Sequence, residues 1–156
     1  MTATLRAATP LDAGAVGAIL HGFNRDTAWM PKLYSEAETI SFASVMIDRG
    51  WVRVAECETD RQAERETVIG FIARDGAEIC SLYLTPDAQG QGIGVQLLEE
   101  AKAQSSVLEL WAFEANKDAR RFYVREGFQE VARSDGARNE EGLPDVRLRW
   151  QRGVAA

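Results

Sequence analysis

The stretch EICSLYLTPDAQGQGIGVQLLEEA, residues 78–101, decides the fold of this chain. Its first seven residues, 78–84, are typical of a strand, which ends at Thr85-Pro86. A glycine-rich turn follows, and apolar residues then recur at helical spacing at Ile93, Leu97, Leu98 and Ala101. The order of strand, turn and helix places the turn at the positive end of a helix, an arrangement that binds anions.

The turn itself reads Gln89-Gly90-Gln91-Gly92-Ile93-Gly94. Its three glycines let successive backbone N–H groups face one point without interference from a Cβ atom. A P-loop would need Lys and then Ser or Thr after its last glycine, whereas Val95-Gln96 stand there. A dinucleotide fingerprint counted from Gly90 would need a small residue in place of Val95. An anion-binding turn and a tight turn without a ligand remain as alternatives.

The patterns on either side of this stretch alternate between strands and helices. Pro10 and the capping box Ser35-Glu36-Ala37-Glu38 predict helix starts, and Asp75-Gly76 predicts a hairpin turn. The polar stretch 59–66 and the segment 134–145 are predicted loops. The predicted elements are a strand at 4–8, helices after Pro10 and after Ser35, strands at 51–56, 67–74 and 78–84, a helix from Ile93, a strand at 107–113, a helix at 117–126, and strands at 128–132 and 146–150.

This order, βααβββαβαββ, predicts one α/β (α+β) domain over residues 1–156, with a mixed sheet of about seven strands and about four helices on its two faces.

Composition limits the classes of function. A formal net charge of −6, without a basic stripe, argues against a nucleic-acid partner. No run of 18 apolar residues and no apolar signal core occur, so we expect a cytoplasmic protein without a membrane partner. Cys57 and Cys80 lack metal-ligand spacing and His21 is the single histidine, so we expect no metal site.

A second motif follows the glycine-rich turn. Ala119, Phe122, Tyr123 and Glu126 fall on one face of the predicted helix at 117–126. Together with the turn, this stretch resembles the GNAT superfamily of N-acetyltransferases. The family's first motif, (Gln or Arg)-x-x-Gly-x-(Gly or Ala), is matched by Gln89, Gly92 and Gly94. Its second motif, Asn-x-x-Ala-x-x-Phe-Tyr-x-x-x-Gly-Phe, is matched by Asn116, Ala119, Phe122, Tyr123, Gly127 and Phe128.

The resemblance implies a splayed sheet with acetyl-CoA, the acetyl donor, between the strands at 78–84 and 107–113. It implies that the pantetheine arm pairs with the backbone near Leu82 and Leu84 and that the pyrophosphate lies on the N–H groups of residues 89–94. Asn116 would bond the pantetheine side, and Ala119 and Phe122 would belong to the cofactor-binding face. Tyr123 would stand beside the thioester sulfur. Members of this family often form dimers, so a homodimer is one expected assembly.

The chemistry of acetyl transfer assigns roles to titratable residues. Tyr123 can donate to a departing thiolate at neutral pH, because its reference pKa of roughly 10, above that of a thiol, keeps the hydroxyl protonated. We expect Glu78 to act as the general base, directly or through a water, with Glu109 and Glu114 as alternatives to it. His21 lies in the first predicted helix, and we assign it no catalytic role.

The acceptor is expected to be a primary amine of a small molecule or peptide. In the resembled fold, the segments 26–31 and 135–145 border the acceptor pocket, so Trp29, Glu140 and Glu141 are candidate contacts. The alternative for Trp29 is a core anchor. Together with Asp145 and Glu78, these acids favour a cationic amine. The alternative class is a non-catalytic acyl-CoA-binding or sensing module, which would not need Tyr123 as an acid.

Overall fold

The computed structural model describes residues 3–60 and 65–154. These residues form seven strands and four α-helices in the predicted order. The strands are β1 Thr4–Ala7, β2 Val52–Asp60, β3 Arg65–Asp75, β4 Glu78–Leu84, β5 Val107–Phe113, β6 Gln129–Ser134 and β7 Asp145–Gln151. The helices are α1 Ala13–Asp26, α2 Glu36–Asp48, α3 Ile93–Gln104 and α4 Lys117–Arg125.

The strands belong to one mixed sheet, in the order β1-β2-β3-β4-β5-β7-β6. The pairing of β4 with β5 is parallel, whereas β1 with β2, β2 with β3, β5 with β7 and β6 with β7 are antiparallel. This architecture confirms the predicted mixed α/β fold.

Several boundaries differ from the prediction. The polar stretch 59–66 is partly strand, since β2 runs to Asp60 and β3 begins at Arg65, and residues 61–64 lie outside the described part of the chain. Extended pairing between two antiparallel strands does not require apolar side chains, so the loop prediction failed there. The β3–β4 turn is formed by Gly76 and Ala77, one residue later than predicted.

Contacts divide the chain into two compact units. The first unit contains the described residues up to Arg74 together with Ser81–Glu99, and the second contains Asp75–Cys80 and the described residues from Glu100 onward.

The core of the first unit lies between its two helices and its sheet. Its buried residues include Val16 and Ile19 of α1, Ala43 and Ile47 of α2, and Phe71 of β3. Helix α2 begins where the sequence predicts, because the Ser35 side chain accepts from Glu38 N–H at 3.1 Å and Glu38 accepts from Ser35 N–H at 3.1 Å.

The second unit buries one face of its strands. On β5, Leu108, Leu110 and Ala112 are buried and alternate with Glu109, Trp111 and Phe113. The buried residues of the second unit also include Tyr123 on α4, Phe128 after that helix, and Val146 and Leu148 on β7. The opposite side of this sheet therefore carries polar and aromatic side chains.

Candidate functional site

The glycine-rich turn is an open backbone cradle in the first unit. A single 3-10 turn, Pro86–Ala88, precedes it, and the buried Ala88 fixes that turn in the structure. The Gln91 amide Nε2 donates to the Asp87 carbonyl oxygen at 2.8 Å. Gly90 and Gly92 have positive φ angles of 75° and 81°, and a Cβ atom added to either would meet no atom within 4 Å. The space that side chains would otherwise fill is therefore open to a ligand.

Helix α3 begins directly at this cradle. The Gln96 N–H donates to the Gly92 carbonyl oxygen at 3.0 Å, which places Gly92 at the helix start. Ile93, Leu97 and Leu98 are fully buried and hold the helix in position. The first N–H groups of an α-helix lack partners within the helix, and the helix dipole is positive there. The arrangement can bind an anionic group such as a phosphate.

The strand that leads into the cradle carries Leu82 and Leu84. Both are partly buried and alternate with Tyr83, whose ring packs 4.7 Å from that of Phe23 and 6.2 Å from that of Phe71. The Thr85 N–H donates to the Ile69 carbonyl oxygen at 2.8 Å, so the end of β4 is tied to β3.

The second motif forms helix α4 in the second unit. The Asn116 side chain caps the helix, because its Oδ1 atom accepts from the Ala119 N–H at 3.2 Å. Capping uses the oxygen and leaves the amide nitrogen as the group that can donate to a ligand. Ala119 and Phe122 on this helix are partly buried.

Tyr123 is held firmly on α4. Only 6% of the residue is exposed, and its ring lies edge-on to Phe122 at 5.1 Å and to Phe128 at 5.2 Å. The Phe128 N–H also donates to the Tyr123 carbonyl oxygen at 3.0 Å. The packing restricts the ring to one orientation, as a positioned proton donor requires.

Glu78, the predicted base, belongs to an ion-pair network in the second unit. Each of its two carboxylate oxygens lies 2.8 Å from Arg147 Nη1. The Arg147 Nη2 atom donates to Glu109 at 2.6 Å, and Arg149 Nε donates to the other oxygen of Glu109. Hydrogen bonds from Arg147 and Arg149 hold the pKa of Glu109 below its usual value. Glu109 is therefore a poor proton acceptor, whereas Glu78 remains 41% exposed at its side chain.

The loop between β6 and β7 borders a pocket of about 330 Å³ in the second unit. Its lining residues are Trp111, Phe113, Ser134, Arg138, Asn139 and Asp145. Glu140 and Glu141, the predicted substrate contacts, follow Asn139 on the loop and are not among these residues. Trp29 is partly buried in the first unit, where His21 Nδ1 lies 3.7 Å from Glu36.

Sequence reasoning missed the pairing of Arg147 with Glu78 and most of this lining. The one available signal was the alternation along β5, which places Trp111 and Phe113 on the same side as Glu109.

Among the described residues, no cluster of His, Cys, Asp and Glu could hold a metal ion. None of the helices in residues 3–60 and 65–154 has the length and apolar character needed to cross a membrane.

Comparison with known proteins points to one family. Residues 48–130, more than half of the chain, match the family model described as an acetyltransferase (GNAT) domain. The chain is 33% identical over 72 residues to the peptidyl-lysine N-acetyltransferase YjaB of Escherichia coli, a match covering 46% of this chain and 49% of that protein. An uncharacterized N-acetyltransferase of Archaeoglobus fulgidus is 32% identical over 93 residues, which cover 49% of this chain and 58% of that protein. The chain thus spans about half the length of these relatives.

Solved structures share the fold over the whole chain. The solution structure of apo YjaB from Escherichia coli superposes with a TM-score of 0.78 at 24% identity and covers 100% of both chains. The structure of yncA from Salmonella typhimurium with its cofactor acetyl-CoA has a TM-score of 0.69 at 20% identity, covering 100% of this chain and 97% of that one.

Proposed function

Because this chain belongs to the GNAT family of acetyltransferases, we propose that it is an N-acetyltransferase that moves the acetyl group of acetyl-CoA onto a primary amine. The family predicted from the two motifs is thereby confirmed. The observation that carries the proposal is the open cradle at Gly90 and Gly92, which lies at the positive end of α3 and fits a pyrophosphate.

The cofactor contacts are assigned unit by unit. In the first unit, the backbone near Leu82 and Leu84 pairs with the pantetheine arm, and the N–H groups of residues 89–94 hold the pyrophosphate. In the second unit, Asn116 donates from its amide nitrogen to the pantetheine side, and Ala119, Phe122 and Tyr123 are that unit's proposed cofactor-binding residues. The capping bond from Ala119 fixes the Asn116 side chain for this task.

Bound acetyl-CoA supplies a thioester carbon, to which the amine nitrogen forms a bond as the bond from carbon to sulfur breaks and CoA leaves as a thiolate. Only a neutral amine can attack, so the chain must take a proton from the amine nitrogen, and it must supply one proton to the departing sulfur. We assign the second task to the Tyr123 hydroxyl, whose ring is immobilised between Phe122 and Phe128.

Glu78 is the proposed general base, acting directly or through a water. Arg147 bonds both of its oxygens, so the carboxylate is held in one place but shares its charge with a cation. A water that bridges Glu78 and the amine would accept the proton without breaking this ion pair. Glu109 is less suitable because its pKa is lowered by two arginines.

The acceptor is proposed to be a small-molecule or peptide amine, with Trp29, Glu140 and Glu141 near it. The peptidyl-lysine activity in the name of one relative supports a peptide amine as one form of acceptor.

Cys57 and Cys80 form no disulfide, which fits the proposed cytoplasmic location. A homodimer is the proposed assembly.

The test is release of CoA thiol from acetyl-CoA across a panel of amines, with the variant Tyr123→Phe. This variant keeps the ring and removes the donor, so turnover should fall by roughly 10²–10⁴-fold while the affinity for acetyl-CoA stays within a factor of about three. Tyr34→Phe is the matched control, because its ring packs against Phe42 in the first unit, and it should keep full turnover.

Two results would contradict the proposal in different ways. Turnover of Tyr123→Phe within a factor of about three of the wild type would make Tyr123 a packing residue. Tight binding of acetyl-CoA without thiol release by any amine would favour the non-catalytic acyl-CoA-binding module.

A further inference from the structure

The pocket in the second unit is built where three strands end side by side. In the antiparallel register, Phe113 at the end of β5 lies opposite Asp145 at the start of β7, and Asp145 lies opposite Ser134 at the end of β6. Trp111 projects from the same side of β5 as Phe113, two residues earlier. The β6–β7 loop then brings Arg138 and Asn139 to the pocket lining.

Most polar groups of this lining are used to hold the loop itself. The Asn139 Oδ1 atom accepts from the Leu143 N–H at 3.2 Å, and its Nδ2 atom donates to the Leu143 carbonyl at 2.8 Å and to Asp145 at 3.3 Å. The Ser134 hydroxyl donates to Asp145 and accepts from the Gly136 N–H at 3.2 Å. Asn139 and Ser134 therefore fix the shape of the pocket.

Two opposite charges remain at the pocket. Asp145 is 8% exposed, and its carboxylate receives two neutral hydrogen-bond donors, Ser134 and Asn139. Arg138 is exposed, and no ion pair or hydrogen bond of its side chain is found among the described residues. A guanidinium presents several donors in a fixed geometry that suits a carboxylate. The pocket thus offers a cation to a ligand anion and a carboxylate to a ligand cation.

The walls of the pocket are aromatic. Trp111 is 45% exposed although it is a large apolar residue, and the Arg147 guanidinium carbon lies 5.5 Å from the centre of its ring. Arg147 is itself fixed by Glu78 and Glu109, so the ring is stacked against an immobile group. An exposed, immobilised aromatic ring is well suited to bind the apolar part of a ligand.

We infer, on the basis of the acetyltransferase function proposed above, that the acceptor is a zwitterion, meaning an amine that also carries a carboxylate. Its carboxylate pairs with Arg138, its ammonium faces Asp145, and its apolar or aromatic part lies on Trp111 and Phe113. A ligand with only a positive charge would be repelled by Arg138, and one with only a negative charge would be repelled by Asp145. The pocket volume of about 330 Å³ is of the size that holds one small molecule or one chain end.

The test compares three ligands that share one ring and one carbon chain. Phenylalanine carries both charges, phenethylamine carries only the amine, and 3-phenylpropionate carries only the carboxylate. Their affinities for the full chain in the presence of CoA are measured by calorimetry. Phenylalanine should bind about tenfold more tightly than either of the others, which is the effect of one charge-assisted hydrogen bond. The dipeptide Phe-Asp, with its carboxylates further from the amine, distinguishes a peptide source from a free amino acid.

The variant Arg138→Ala should weaken phenylalanine binding about tenfold, to the level of phenethylamine, and leave phenethylamine binding unchanged or stronger. Arg125→Ala is the matched control, since Arg125 is an exposed arginine on α4 outside the pocket lining and its replacement removes the same charge. The control should bind all three ligands like the wild type.

Tightest binding of either phenylalanine or Phe-Asp, lost in Arg138→Ala and kept in Arg125→Ala, would support the inference and identify the source of the carboxylate. Equal binding of phenylalanine and phenethylamine would overturn it, as would equal effects of the two variants or no binding of phenylalanine and Phe-Asp. Thiol release is measured separately, so that binding of the zwitterion without turnover would count against the proposed acetyltransferase function and not against the pocket.

Discussion

Replacing Gly94 with alanine should separate cofactor binding from folding. Gly94 is the second residue of α3, where alanine is favoured over glycine, so the free energy of unfolding should rise by about 0.4–1 kcal/mol. That corresponds to a rise in Tm of about 1–4 °C for a chain of this size. Because Gly94 directly follows Gly92 and Ile93 in the chain, we expect a Cβ atom there to hinder approach of the pyrophosphate to the N–H groups that we assign to it. Loss of one hydrogen bond to a charged group weakens binding by about 1.5–3 kcal/mol, so the Kd for acetyl-CoA should rise by roughly 10- to 100-fold.

The control for this prediction compares two glycines with similar backbone φ angles. Gly92 and Gly50 have φ angles of 81° and 75°, and an added Cβ at either has no neighbour within 4 Å. Alanine at either position costs about 1–2 kcal/mol of strain, but only Gly92 belongs to the cradle. Thermal unfolding measures the stability of each variant, and calorimetry measures its Kd for acetyl-CoA. If Gly94→Ala bound acetyl-CoA as tightly as the wild type, or Gly92→Ala as tightly as Gly50→Ala, the phosphate assignment would be refuted.

Two further predictions concern a partly buried ion pair and the pocket loop. Asp12 accepts hydrogen bonds from Arg6 at 2.7 and 2.9 Å, and these bonds lower the pKa of Asp12 in the folded state. The ion pair therefore stabilises the fold fully above the unfolded pKa of about 3.9, and this stabilisation is lost as the pH falls through the lower pKa of the folded state. Asp12→Asn should lower the free energy of unfolding, measured by urea titration, by about 1–2 kcal/mol at pH 7. At pH 3 the free energies of the variant and the wild type should differ by less. An equal difference at both pH values would contradict this prediction. An added Cβ at Gly136 would lie 2.5 Å from the Leu143 carbonyl group, so Gly136→Ala should displace the loop and raise the KM for the acceptor, with the Kd for acetyl-CoA unchanged. Gly142→Ala, which has a positive φ but open space, is its control, and equal KM values for the two variants would show that the loop does not shape the pocket.

Local signals were sufficient to predict the fold. The capping box at Ser35 and the glycine-rich turn before α3 act through residues a few positions apart, and both features form where the sequence places them. The strand ends were less predictable. Strands β2 and β3 extend into the polar stretch 59–66 because strand pairing, and not side-chain polarity, determines where they stop.

Apart from the loop and Asp145, the lining of the pocket could not be predicted, because its residues meet through long-range register. Phe113, Asp145 and Ser134 become neighbours only when β5, β7 and β6 pair in that order. Within the loop, the Asn139 side chain bonds Leu143 and so determines which residues line the pocket. Besides Asp145, the sequence suggested Glu140 and Glu141, which do not line the pocket, because a sequence shows the charge of the loop but not the direction of each side chain.

The charge of the whole chain and the charge of the pocket act over different distances. The formal net charge of −6 attracts a cationic amine from solution, and this attraction is screened over about 8 Å at physiological ionic strength. Near the pocket, the carboxylates of Glu78 and Glu109 are paired with Arg147 and Arg149, so these two acids contribute little negative charge at contact distance. Selection at contact therefore depends on the Arg138 guanidinium and the Asp145 carboxylate, which both line the pocket. The ammonium group of a zwitterion is not repelled by the negative net charge of the chain, and its carboxylate can bind Arg138. One ligand therefore suits both the long-range attraction and the selection at contact.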